Sequence, residues 1–276
     1  MGKAKLTRYV LLSLIGVSII YIIPFIIAQS NFDVSLLNPQ TGILGNKGFI
    51  ISFKNTIIFM VIFVPIVVVL GFVLAYLTEN GKISLLAKLS IILPITIPVL
   101  SIAGFFRDNM DNIFQNINGI LVVGIVFLWS CLGFTYLIFL VSLSNRNKSI
   151  EEAAYLDGAG TFRTIFKIII PSHTEALILS IVISIYNSLK IFKQTYAIFG
   201  EYPKYDMFMM QNYLYLKLKS LDLATLIASA DVFLVFILFI LVVILSLGKI
   251  QGKRLMRWEW YKNTFHFKYW DAAFAA

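Results

Sequence analysis

The chain has 276 residues, of which 59% are hydrophobic and 13% are charged, and its net charge at pH 7 is +9. A soluble domain carries about twice that charged fraction, so we expect a membrane protein. The single cysteine, Cys131, excludes a disulfide framework or a cysteine-based metal site within the chain. The sequence holds no nucleotide-binding P-loop and no histidine pair with metal-ligand spacing. We therefore expect no catalytic residues, metal site or bound cofactor in this chain.

Six apolar runs are each long enough to cross the hydrocarbon core of a bilayer, which takes about 20 helical residues. They cover residues 9–28, 56–78, 89–106, 119–143, 175–199 and 223–248. The first run is longer than the core of a signal peptide, and we expect it to be retained. Pro65 in the second run, and Pro94 with Pro98 in the third, are expected to bend those helices. The sequence predicts an all-α integral membrane protein with six transmembrane helices.

The basic residues lie between the apolar runs rather than in one patch, which is typical of membrane topology and not of a nucleic-acid site. With both termini in the cytoplasm, 15 of the 23 lysines and arginines face inward and six face outward. The positive-inside rule therefore predicts a multi-pass protein of the cell membrane with cytoplasmic termini. We divide it into an N-terminal span and outer loop (1–55), a core of five spans (56–248) and a basic, aromatic tail (249–276) that rests on membrane lipid.

The predicted cytoplasmic loop at residues 144–174 has the local chemistry of two short helices. Ser149 is a candidate N-cap, and Glu152 three residues later completes a capping box. Gly158 and Gly160 are expected to end the first helix in a turn. Thr161 is expected to cap a second helix at residues 162–169, before Pro171 leads into the fifth span. The loop is therefore predicted to lie as a helix, a glycine turn and a second helix on the inner membrane face.

The same loop contains a spaced motif. Glu152, Ala153 and Ala154 are followed after three residues by Gly158, and after nine more by Ile168 to Pro171. This spacing resembles the loop by which permeases of binding-protein-dependent ABC importers dock onto their ATPase subunits, although Ile170 stands where leucine is usual. The resemblance implies a MetI-like permease fold with a cytoplasmic coupling helix. The residues it assigns to ATPase docking are Glu151, Glu152, Ala153, Ala154, Asp157, Gly158 and Ala159.

The resemblance also implies the assembly in which the chain works. It implies ABC ATPase subunits that bind ATP and Mg²⁺ in place of this chain, a second related permease and an extracellular solute-binding protein. Phe192, Tyr196 and Gly200 resemble the end of the fifth span in carbohydrate-type permeases, which implies a sugar or oligosaccharide as the solute. A permease for a non-sugar solute, or a secondary transporter that needs no ATPase, remains an alternative.

Polar residues inside predicted spans are expensive to bury and are candidates for the substrate path. Asn187, Lys190 and Gln194 share one face of the fifth span if it is a continuous helix. Asp231 in the sixth span lies at a similar depth. Two interpretations stay open: either Lys190 or Lys193 pairs with Asp231, or the lysines reach the outer headgroups and Asp231 bonds a backbone group.

Overall fold

The structure is a computed structural model that describes residues 13–30, 32–81, 83–109, 118–146 and 148–246. Within these ranges the regular secondary structure is helical. The principal helices are α1 (Ser13–Gln29), α2 (Lys47–Asn80), α3 (Leu85–Thr96), α4 (Val99–Asp108), α5 (Gly119–Ser144), α6 (Lys148–Leu156), α7 (161–172), α8 (Thr174–Leu189), α9 (Phe192–Phe199), α10 (Met210–Lys219) and α11 (Leu223–Ser246). We call the end of the bundle that carries α6 and α7 the loop side, and the opposite end the far side.

Four stretches in the described ranges are long and apolar enough to cross a membrane: α2, α5, α8 with α9, and α11. The second, fourth, fifth and sixth predicted spans correspond to them, although residues 247 and 248 of the sixth lie outside the described residues. The first predicted span corresponds to α1, a shorter apolar helix whose predicted first residues, 9–12, are also outside. The count of six spans stays a prediction.

The third predicted span, residues 89–106, is bent as its prolines predict, and so strongly that it forms two helices. The helix begins at Leu85 and breaks before Val99, and its two halves, α3 and α4, meet at an angle of 84°. Pro98 accounts for the break, because proline disfavours the helical conformation at the residue before it. That residue, Ile97, has φ −85° and ψ 126°. This pair is a broken span or a re-entrant loop.

Helix α2 is longer than the span predicted from hydropathy. Asn46 caps it by accepting a hydrogen bond from the backbone N–H of Phe49 at 3.1 Å, so the helix begins at Lys47 and not near residue 56. Its 34 residues correspond to about 51 Å, and the helix is continuous through Pro65. The first turns of α2 therefore extend past the hydrocarbon core on the far side.

The far-side turns of α2 pack against α10, a helix that the sequence analysis did not predict. The backbone N–H of Met210 donates to Oγ1 of Thr56 at 2.9 Å, and the rings of Phe49 and Tyr213 meet edge to face with centroids 5.8 Å apart. Thr56 and Met210 are both buried. This contact joins the far-side end of α2 to the segment between α9 and α11.

The core of the bundle lies between α2 and α5. The hydroxyl of Tyr136 donates to Oγ1 of Thr78 at 3.1 Å, and Oγ1 of Thr135 lies 3.3 Å from the carbonyl oxygen of Val67. All three polar side chains are buried. Buried hydroxyls that bond a neighbouring helix are a common way to join membrane helices, which gain little from the hydrophobic effect among lipid tails.

Candidate functional site

The loop between α5 and α8 contains the short helix that the sequence predicts. Helix α6 spans Lys148–Leu156 and ends in a turn centred on Gly158, whose φ is +82°. The N–H of Gly158 donates to the carbonyl of Tyr155 at 3.0 Å, and that of Ala159 to the carbonyl of Ala154 at 2.9 Å. These two bonds form a Schellman motif, in which glycine takes the left-handed position at no steric cost.

The two predicted N-caps of the loop are displaced by one residue or more. Helix α6 begins at Lys148, so Ser149 lies inside its first turn and is not the N-cap residue of a capping box. Gly160, and not Thr161, is the N-cap of α7, and its carbonyl accepts from the N–H of Thr164 at 3.0 Å. From Ile165 to Ile169 the helix widens to a π-helical turn before Pro171.

The predicted docking residues divide between two faces of α6. Glu152, Ala153, Asp157 and Gly158 are exposed, whereas Ala154 and Ala159 are half-buried. Residues three and four positions apart lie on one helical face, so Glu152 and Ala153 share a face with Leu156. The side chain of Leu156, which the motif does not include, is 89% exposed. We call Glu152, Ala153, Leu156 and Asp157 the docking face.

The side chain of Glu151, another predicted docking residue, points away from the docking face. Its Oε1 lies 2.6 Å from Nε of Arg146, and the two side chains are 12% and 4% exposed. The approach is that of an ion pair and not of a well-directed hydrogen bond. Arg146 is a site residue that the sequence analysis missed. The sequence feature that could have identified Arg146 is its position between the end of a predicted span and a pair of glutamates.

Phe162 and Phe166 belong to a different surface from the docking face. They are 79% and 65% exposed and lie one turn apart on α7. Together with Phe72 and Leu177 they line an apolar cavity of about 450 Å³ that opens between α2, α5, α7 and α8. His173 borders this cavity, and its Nδ1 lies 2.7 Å from the hydroxyl oxygen of Ser142.

The candidate path residues of the fifth span do not form one continuous stripe. Helix α8 ends at Leu189, and α9 begins at Phe192 after a turn. Asn187 is half-buried and lies beside the thiol of Cys131, and Gln194 is 92% buried. Lys190 is exposed, and its ammonium lies 3.9 Å from the centroid of the Tyr186 ring and donates to that phenol. Across the helix break, Lys190 is therefore at the surface and Gln194 is in the interior.

Asp231 takes neither of the two partners considered from the sequence. The side-chain amide of Gln29 donates to both of its carboxylate oxygens, at 2.8 and 3.0 Å. This contact joins the far-side end of α1 to α11. Gln29 follows directly on the predicted first span, so a search for polar residues at span ends would have found it. No described contact links Asp231 to Lys190.

A family model for the inner membrane component of binding-protein-dependent transport systems matches residues 56–257. This match covers more than half of the chain. The chain belongs to this family. The match begins in the third turn of α2, continues through α11 with the motif from Glu152 to Pro171, and leaves out α1. The family consists of multi-pass membrane permeases that are not themselves catalytic, and it supports the fold expected from the loop motif.

Two curated relatives are permeases of sugar transport systems. The xylose/arabinose import permease XacH of Haloferax volcanii is 28% identical over 179 residues, which are 58% of this chain and 56% of the relative. The lactose transport permease LacF of Rhizobium radiobacter is 24% identical over 169 residues, which are 52% of this chain and 56% of the relative. The permease thus spans a little over half the length of these two relatives.

A solved structure has the same fold. One chain of the crystal structure of a bacterial ABC transporter that imports the acidic polysaccharide alginate superposes with a TM-score of 0.71. The alignment covers 88% of the permease and 94% of that chain, at 18% sequence identity. The architecture is therefore the MetI-like permease fold, which the family match also supports.

Proposed function

We propose that this permease is the membrane-spanning subunit of an ATP-driven importer, and that a solute-binding protein outside the cell delivers a sugar or oligosaccharide to it. ATP and Mg²⁺ would bind to separate ATPase subunits in the cytoplasm, where both termini would also lie. A second, related permease would complete the path. The observation that carries the proposal is the docking face of α6, which the Schellman turn at Gly158 holds at the surface.

The docking face has the chemistry of a helix that fits into a groove of a partner protein. Ala153 presents no bulk, Leu156 offers an apolar side chain that is 89% exposed, and Glu152 and Asp157 flank them with negative charge. An exposed leucine gains from burial in a partner, and such helices dock through anchors spaced three and four residues apart. Carboxylates at the edge of the contact favour a groove that has basic residues at its rim.

The proposed solute class rests on the relatives and on aromatic side chains at the far side. Both relatives described above are named for sugars, and the solved transporter for a polysaccharide. Phe192 and Tyr196 of α9 lie 5.1 and 5.8 Å, between ring centroids, from Tyr215 of α10. Tyr196 is 40% exposed. Aromatic rings combine an apolar face with a polar edge, which suits contact with a sugar ring.

The experiment is purification of the tagged permease from its native membrane, followed by reconstitution into lipid vesicles. We expect it to retain an ATPase and a second permease, and to transport solute only when ATP is present on the ATPase side. Hydrolysis should rise when solute-binding protein is added with pentoses or disaccharides, and not with amino acids. Uptake by the permease alone, without ATP, would instead identify a secondary transporter.

A further inference from the structure

The guanidinium of Arg146 lies where three helices meet on the loop side. Arg146 follows the end of α5, and its Nε is 2.6 Å from Oε1 of Glu151 in the first turn of α6. Its Nη2 donates to Oδ1 of Asn80, which is the last residue of α2. One buried cation therefore connects the beginning of α6 to the end of α2.

A second contact joins the other end of α6 to α2. The phenol of Tyr155, in the last turn of α6, lies close enough to the phenol of Tyr76 in α2 for the two groups to interact. The guanidinium carbon of Arg146 lies 5.8 Å from the centroid of the same Tyr76 ring. Both ends of α6 are thus tied to the last two turns of α2, although α2 precedes α6 by about seventy residues in the sequence.

The Arg146–Glu151 pair is not explained by stability alone. Removing two charges from water costs several kcal/mol for each ion, and a buried pair seldom adds more stability than apolar side chains of similar size. The cost here is only partly offset, because Nη1 of Arg146 is buried and has no hydrogen-bond partner among the described residues. Such a pair instead holds its two elements in one relative position, which here is the position of α6 against α2.

Helix α2 is suited to carry a movement across the membrane. It is continuous from Lys47 to Asn80 and packs along α5. At the far side its Thr56 accepts from the backbone of Met210 in α10. A displacement of its loop-side end therefore reaches the far-side segment through one unbroken helix.

We propose that the Arg146–Glu151 pair is a mechanical link that transmits the movement of α6 to α2, and that Glu151 does not contact the ATPase. Neighbouring residues on a helix point about 100° apart, so Glu152 faces the partner while Glu151 faces Arg146. The two glutamates thus have different positioning roles: Glu152 holds the ATPase, and Glu151 couples its movement to the span. This inference rests on the proposed function.

The test compares Glu151→Gln with Glu152→Gln in the complex purified with its ATPase subunits, with Glu175→Gln, on an exposed turn of α8, as the matched control. We expect E152Q to lose ATPase subunits. E151Q should retain them at wild-type stoichiometry. The amount of solute carried per ATP hydrolysed should fall about fivefold or more, because coupling between two linked sites usually changes an equilibrium by at least that factor. E175Q should match the wild type in both measurements.

Two further variants keep the test decisive if E151Q accumulates poorly. The double variant R146Q/E151Q leaves no buried charge unpaired, so it should be no less stable than E151Q and equally uncoupled. Tyr155→Phe removes the second tie without removing a charge, and should lower the same ratio by less.

The possible outcomes distinguish a failure of the proposed Arg146–Glu151 link from a failure of the proposed function. Loss of ATPase subunits from E151Q, as from E152Q, would make Glu151 a docking contact and overturn the link. A wild-type ratio of solute to ATP in E151Q, or in the double variant if E151Q does not accumulate, would also overturn it, with the proposed function left intact. A wild-type permease that retains no ATPase would refute both.

Discussion

Gly71 of α2 lies against Thr135 of α5 with no room for a methyl group between the two helices. A Cβ atom at Gly71 would stand 2.4 Å from Oγ1 of Thr135 and 3.0 Å from its carbonyl carbon. Small residues allow membrane helices to approach this closely, and the contact then depends on van der Waals packing. The position of α2 against α5 is therefore sensitive to a single methyl group.

We expect Gly71→Ala to lower the stability of the permease by about 1–3 kcal/mol, the usual cost of overpacking. The measurement is the thermal unfolding midpoint of the detergent-solubilised protein. Gly104→Ala is the matched control, because a Cβ at Gly104 of α4 meets nothing within 4 Å. Equal midpoints for G71A and G104A would show that α2 and α5 are further apart than described.

Gly158→Val should disrupt the turn that ends α6. Left-handed backbone costs an ordinary L-residue roughly 1–2 kcal/mol, and the φ of +82° at Gly158 lies in that region. Gly158→Asn should be milder, since asparagine tolerates this conformation. We expect ATPase retention to fall in the order wild type, G158N, G158V. Gly160→Ala, at φ −70° with open space around it, should behave as the wild type, and normal ATP-driven uptake by G158V would contradict the docking model.

Leu156→Ala tests the apolar anchor of the docking face. Leu156 is 89% exposed in the permease alone, so its truncation should not affect folding. If the ATPase buries it, the lost transfer free energy is about 1.5–3 kcal/mol, which weakens binding roughly ten- to hundredfold. The measurement is titration of the solubilised permease with ATPase. Leu86→Ala, at a site 76% exposed on α3, should leave the affinity unchanged, and equal affinities for both variants would remove Leu156 from the interface.

Asp231→Ala and Gln29→Ala should produce the same defect, because each removes one partner of the contact between α1 and α11. A hydrogen bond to a charged group contributes about 1.5–3 kcal/mol. We expect faster proteolysis of α1 and lower uptake with membrane insertion intact, while Asp231→Asn should retain part of the contact. Asp206→Ala, on an exposed turn, is the control. Wild-type uptake and proteolysis in both D231A and Q29A would exclude a role for this pair.

The stability of the loop side should depend on pH through His173. Burial, and after it the charge of Arg146, lowers the pKa of His173 below its usual 6.5. The unfolded chain therefore binds the proton first as the pH falls, so stability is complete above about pH 6.5 and is lost as the pH falls through the lowered pKa.

The His173 effect is measured as the unfolding midpoint between pH 5 and pH 8 for the wild type and for His173→Gln. Other groups titrate in both proteins, so the difference between the two curves isolates the histidine. We expect the wild type to lose its advantage over H173Q toward pH 5. A difference that stays constant across this range would contradict a neutral, half-buried imidazole bonded to Ser142.

The parts of the structure that the sequence predicted correctly depend on neighbouring residues. Hydropathy placed the fourth span at 119–143, and α5 covers Gly119–Ser144. The positive φ of Gly158 and the helix before it follow from residues within one or two turns. Pro98 indicated a bend, but its angle of 84° depends on how α3 and α4 pack against the rest of the bundle.

The sequence by itself determined that this is a membrane permease with a helical loop, because apolar length and motif spacing are properties of the chain alone. Only the tertiary structure decided the partners of its polar side chains. It brought Gln29 to Asp231 across 202 residues and turned Glu151 toward Arg146 while Glu152 stayed exposed. The physical reason is that a side chain inside a bundle bonds whatever the packing of distant helices places beside it, and local sequence does not contain that packing.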